Sequence, residues 1–139
     1  MTTLENENPV LNVLLIEDNP GDVVLTNKAF DMSEVDNNVM VANNGELALK
    51  MLKKEEVFRD LPKPDVILLD LNLPKKSGQE VLADIKNDEN LKNIPVIILT
   101  SSKEESDIAE TFDLKANGYM IKPVNSARVA KMVVMPRSA

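Results

Sequence analysis

Three short, unbroken apolar runs, Val13-Leu14-Leu15-Ile16, Val66-Ile67-Leu68-Leu69 and Val96-Ile97-Ile98-Leu99, restrict the possible folds of this chain more than any other feature. A strand that is apolar at every position must be covered on both faces, as strands of parallel sheets enclosed by helices are. Weaker strands fit residues 39–41 and Tyr119-Met120-Ile121. Between the strands lie stripes at helical spacing: Leu25, Ala29 and Met32; Leu47, Ala48, Met51 and Leu52; Val81, Leu82 and Ile85; Ile108, Ala109 and Phe112. A last stripe, Val129, Met132 and Val133, predicts a final helix before Pro136. The order is five βα units.

Polar punctuation sets the boundaries. Asn19-Pro20, Asn43-Asn44-Gly45, Ser77-Gly78 and Ser101-Ser102 each stand where a helix should begin. Residues 55–64 form a longer charged connector closed by Pro62 and Pro64. With 139 residues there is room for one compact core, expected over 11–139 as a single domain without an output domain, after a flexible segment 1–10.

Composition removes several kinds of function. A net charge of −7 disfavours nucleic acid and anionic membrane surfaces as partners. The chain has no cysteine, hence no disulfide, thiolate metal site or thiol nucleophile, which fits the cytoplasm. It also has no histidine, so chemistry must run on carboxylates, hydroxyls and lysines. No apolar run approaches the ~18 residues of a spanning helix, and residues 1–11 carry Glu5 and Glu7 rather than the features of a signal peptide.

Open parallel sheets place their sites beyond the carboxyl ends of the strands, where strand order reverses. Here the first strand runs into Glu17-Asp18, the third into Asp70, the fourth into Thr100 and the fifth into Lys122. Three carboxylates gathered on one edge resist ionisation unless a positive charge lies between them. With oxygen donors only, a hard divalent ion such as Mg²⁺ is favoured, and Lys122 adds a point charge suited to phosphate. The set suits phosphoryl transfer to a carboxylate. Asp70 is the expected nucleophile, because Glu17 and Asp18 are adjacent and better placed to hold the cation together. Taken singly, Asp70 could be a helix cap, Lys122 a solvated lysine, Tyr119 a core aromatic, Thr100 a cap and Asn72 a turn residue. The lysine pairs Lys53-Lys54 and Lys75-Lys76 read as solvated faces.

The segments Leu14-Leu15-Ile16-Glu17-Asp18-Asn19, Leu69-Asp70-Leu71-Asn72-Leu73-Pro74, Leu99-Thr100-Ser101-Ser102 and Gly118-Tyr119-Met120-Ile121-Lys122-Pro123 resemble the receiver domains of bacterial response regulators, in the same order and over about residues 11 to 134. The resemblance implies a flavodoxin-like (βα)5 three-layer sandwich with a parallel sheet of order 2-1-3-4-5. It implies metal ligation by Glu17, Asp18, Asp70 and the backbone carbonyl of Asn72, with Mg²⁺ as the cofactor. Asp70 becomes the phospho-acceptor, Thr100 and Lys122 its catalytic neighbours, and Thr100 with Tyr119 the switch. The bond between Lys122 and Pro123 is expected to be cis.

Glu-Asp-Asn-Pro, the long connector and Leu-Asn-Leu-Pro-Lys-Lys-Ser-Gly look like the small regulators paired with cyanobacterial and bacterial phytochromes. The partner so implied is a histidine kinase, of phytochrome type, and the signal then passes by contact with a downstream protein that the sequence does not name. The short last segment argues against the homodimer known among those regulators. Such a protein promotes its own phosphotransfer and dephosphorylation but does not turn over small substrates. A haloacid dehalogenase-like phosphohydrolase would need Asp-x-Asp near the first strand, whereas the third strand here has Asp70-Leu71-Asn72, with no acid two residues on. A degenerate, binding-only receiver would lack one of the acids or the lysine, and all are present.

Overall fold

The computed structural model describes residues 10–71, 73, 76–101 and 116–132. Five strands, β1 (Leu11–Ile16), β2 (Asn37–Ala42), β3 (Val66–Asp70), β4 (Val96–Thr100) and β5 (Gly118–Ile121), form one parallel sheet in the order β2-β1-β3-β4-β5. Four described helices accompany it: α1 (Pro20–Met32), α2 (Gly45–Leu52), α3 (Gly78–Lys86) and α4 (Ser126–Met132). The flavodoxin-like order expected from the sequence is the observed one. The expected helix carrying Ile108, Ala109 and Phe112 lies outside the described residues, as do Ser102, Val133 and Pro136.

The three apolar runs occupy the centre of the sheet, and their side chains alternate between two cores. Leu14, Ile16, Ile67, Leu69 and Ile98 pack with Ala48 and Leu52 of α2 and with Val81, Leu82 and Ile85 of α3. Val13, Leu15, Leu68, Ile97 and Leu99 face the other way, onto Ala29 and Phe30 of α1 and Val129 of α4. Both alternating sets must therefore be apolar, which explains the unbroken runs. The edge strands β2 and β5 are only partly covered and carry mixed sequences accordingly.

The stripe expected on α1 is out of phase with the buried face. Leu25 and Met32 are exposed, and the buried residues are Thr26, Ala29 and Phe30, with Val23 packed beside them. The helix is rotated so that the Phe30 ring fills the core between sheet and α4. Burying the larger aromatic surface outweighs leaving Leu25 and Met32 in water.

Helix starts follow the predicted punctuation. Asn19, Asn44 and Ser77 cap α1, α2 and α3, their side chains accepting from the backbone N–H groups of Asp22, Leu47 and Glu80. At α3 the Glu80 carboxylate also accepts from Ser77 N–H, completing a capping box. The connector after α2 contains one 3₁₀ turn, Glu56–Phe58. Of the lysines read as solvated, Lys53 and Lys54 are exposed, while Lys76 pairs with Asp84 at 2.7 Å. Among the described residues no helix is long and apolar enough to cross a membrane.

Candidate functional site at the carboxyl edge of the sheet

Parallel pairing sets the positions of the site residues. Asp70 ends β3 in register with Leu99, so Thr100 projects one step beyond it, and Thr100 is in turn in register with Ile121. Lys122 follows, its backbone N–H donating to Thr100 O at 2.8 Å. Glu17 directly follows β1 and is fixed by its N–H donating to Ala42 O at 3.0 Å. Glu17, Asp70 and Thr100 are buried, whereas Asp18 is exposed at the rim. Tyr119, on β5, is half-buried and packs against the α2/α3 core. Asn72 lies outside the described residues. The Lys122-Pro123 bond is cis, as expected.

The start of α3 lies close against the end of β3. A Cβ on Gly78 would lie 2.6 Å from both Asp70 O and Leu71 Cα, so only glycine lets α3 begin directly against the backbone that presents Asp70. Gly78 N–H donates to Leu71 O at 3.1 Å.

Lys122 Nζ stands among three carboxylates. It donates to Asp70 Oδ2 at 3.1 Å and to Asp22 Oδ2 at 2.9 Å, and lies 2.9 Å from Glu17 Oε1. The contact to Glu17 is an ion pair, and Oε1 is buried without a hydrogen-bond partner. Glu17 Oε2 accepts from Asn19 N–H at 3.2 Å. Burial alone would lower the pKa of Lys122, but the carboxylates of Glu17, Asp22 and Asp70 outweigh it and raise the value above the usual lysine range. Glu17 is pushed up to about 7, first by burial and then by the neighbouring Asp70 carboxyl, with Lys122 pulling the other way.

Glu17, Asp18 and Asp70 each offer a carboxylate oxygen within 4.8 Å of the other two. The unmet Glu17 Oε1 is a buried acceptor that a divalent cation would satisfy, and an all-oxygen donor set with an exposed member suits a hard ion that keeps some of its water. The residues present fit such a group.

Glu17, Asp18, Asp70, Thr100 and Lys122, expected on one edge of the sheet, lie on that edge. Asp22 is an unexpected neighbour of Lys122. An acid in the first turn of a helix is an ordinary partner of the helix dipole, and nothing in the local sequence signals that α1 passes beside Lys122, a hundred positions later.

A sheet of order β2-β1-β3-β4-β5 with acids after β1, an acid ending β3 and a lysine after β5 is a receiver arrangement. The family model for the response regulator receiver domain matches residues 13–134, and the chain belongs to that family. It is 39% identical over 129 residues to response regulator Rcp1 of Synechocystis sp., covering 93% of this chain and 88% of that protein. The solved Mn²⁺-bound form of Rcp1 superposes with a TM-score of 0.76 at 36% identity, covering 93% of this chain and 99% of that one. The bacteriophytochrome response regulator RtBRR gives a TM-score of 0.82 at 38% identity, over 94% of this chain and 82% of that one. The phosphorylated cyanobacterial phytochrome response regulator RcpA gives 0.74 at 41%, over 90% and 89%.

Proposed function

We propose that this response regulator accepts a phosphoryl group on Asp70 from the phosphohistidine of a separate histidine kinase, in the presence of Mg²⁺, and signals by contact with a downstream protein. The observation that supports this best is the aim of Lys122 Nζ at Asp70 Oδ2, 3.1 Å away, beside the Glu17 and Asp18 carboxylates. An acceptor carboxylate, a cation cradle and a fixed ammonium are what transfer to an aspartate needs. These 139 residues contain no histidine, which fits a donor imidazole on a separate kinase.

In the transfer, a carboxylate oxygen of Asp70 attacks phosphorus. The new O–P bond forms as the P–N bond to the donor breaks, and its electron pair leaves with the imidazole. Lys122 donates a proton of its ammonium, in a hydrogen bond, to an equatorial phosphoryl oxygen as negative charge spreads there. The Thr100 hydroxyl, at the end of β4, would follow the phosphoryl group, and Tyr119, paired with Ile98 on the neighbouring strand, would carry the movement to the surface. Glu17, Asp18, Asp70 and the backbone carbonyl of Asn72 would hold Mg²⁺, which when bound supplies positive charge for the phosphoryl oxygens. Attack of water on the acyl phosphate later restores Asp70, so the chain promotes its own cycle without turning over small substrates.

The names of RtBRR and RcpA support a kinase of phytochrome type. An acidic chain with a net charge of −7 fits a protein partner better than nucleic acid. With beryllofluoride and Mg²⁺, the amide NMR signals of Thr100, Tyr119 and Lys122 should shift together, and should stay still in Asp70→Asn. An unresponsive wild-type protein would contradict the reading.

A further inference from the structure

We infer that Asp22 is a positioning residue, an anchor that keeps the Lys122 ammonium aimed at Asp70 once Glu17 and Asp70 are engaged elsewhere. The inference rests on the phosphoryl-acceptor reading of the site and extends it to a residue outside the metal cradle.

An ammonium has three protons to give. In this structure Lys122 Nζ donates to Asp22 Oδ2 at 2.9 Å and to Asp70 Oδ2 at 3.1 Å, and forms an ion pair with Glu17 Oε1 at 2.9 Å. Glu17 and Asp70 both belong to the carboxylate cluster that could hold a cation, and Asp22 does not. A cation would draw Glu17 away from the lysine, and a phosphoryl group would take over the proton now given to Asp70. The bond to Asp22 is the one that neither event needs to break.

Asp22 is well fixed for this work. It lies in the first turn of α1, where the helix dipole favours a carboxylate, and its own N–H is tied to the Asn19 cap at 3.1 Å. Its side chain is 30% exposed, against 1% for Glu17, so it reaches Lys122 from the rim of the site. On the other side, the Lys122 backbone is tied to Thr100. The long lysine side chain is thus held at both ends, which cuts the rotamer freedom otherwise lost when the ammonium meets the phosphoryl oxygen.

The test compares wild type, Asp22→Ala and Asp22→Asn by the rate of labelling with acetyl phosphate at saturating Mg²⁺. Mg²⁺ affinity is measured separately by amide NMR, and the ¹⁵Nζ signal of Lys122 is recorded in each. Asp22→Ala should label about tenfold more slowly, as loss of one charge-assisted hydrogen bond implies. Asp22→Asn, whose amide oxygen can still accept from the lysine, should fall between Asp22→Ala and wild type. Mg²⁺ affinity should stay within about twofold of wild type, since Asp22 is outside the metal cradle, and the ¹⁵Nζ signal of Lys122 should broaden with faster proton exchange. Labelling of Asp22→Ala at the wild-type rate or faster would overturn the inference, as would slower labelling with an unchanged Lys122 signal. A wild type that does not label at all would instead count against Asp70 as acceptor, and the ¹⁵Nζ comparison would still decide whether Asp22 holds Lys122.

Discussion

Lys122→Ala should lose roughly 3 kcal/mol of stability at pH 8 in the absence of divalent cations, the usual scale for removing one partner of a buried ion pair. The variant leaves Glu17 and Asp70, both almost fully buried, facing each other and Asp22 without a positive charge among them. Part of the loss should be relieved at pH 5.5, where one carboxyl can take up a proton. Millimolar Mg²⁺ should restore much of the rest, because a cation at the cluster replaces the missing charge. Urea unfolding with chelator and with Mg²⁺ at the two pH values measures all of this. A variant as stable as wild type in chelator at pH 8 would mean that Lys122 does not compensate these acids.

Glu17 gives the second large effect, and its sign is set by proton linkage. Burial and the Asp70 carboxyl push the Glu17 pKa up to about 7 in the folded protein from 4.5 for the ordinary side chain, so the native state binds more protons than the unfolded state between these values. Its contribution is therefore complete below about pH 4.5 and is lost as pH rises through 7. At ~1.4 kcal/mol per unit, the metal-free protein should lose on the order of 3 kcal/mol between pH 5 and 8. Mg²⁺ binding needs the ionised carboxylate, so its affinity should fall as pH drops below 7, and saturating Mg²⁺ should flatten the stability profile. Glu80 acts in the opposite sense at lower pH, because its capping-box carboxyl is held below its usual value by the Ser77 N–H. The Glu80 contribution therefore falls below the window from pH 5 to 8 in which the Glu17 slope lies. Denaturant midpoints in chelator that rise or stay level across that window, or a Glu17→Gln variant that keeps the slope, would contradict this assignment.

The central strands were legible because burial on both faces leaves few sequences other than unbroken Val, Ile and Leu runs, and the order of the sheet came with the resemblance that their polar ends carried. Glu17, Asp18, Asp70, Thr100 and Lys122 were legible for a related reason: in a parallel sheet the residue just after a strand must emerge on the same edge. The α1 stripe was not, since Leu25-Ala29-Met32 and Val23-Thr26-Ala29-Phe30 both have helical spacing. Which set faces the core depends on the space that α4 and the sheet leave for Phe30, a tertiary fact. Asp22 was hidden for the same kind of reason. Its meeting with Lys122 depends on how the start of α1 sits over the end of β5, and short-range spacing carries no trace of it.

The central claim is tested most directly by intact mass spectrometry after incubation with acetyl phosphate, in Mg²⁺ and in chelator, on wild type and Asp70→Asn. One phosphoryl adduct on the wild type, present with Mg²⁺, absent with chelator, labile to base and missing from Asp70→Asn, is the predicted result. An adduct that persists in Asp70→Asn, or a wild type that stays unmodified in Mg²⁺, would contradict Asp70 as the acceptor.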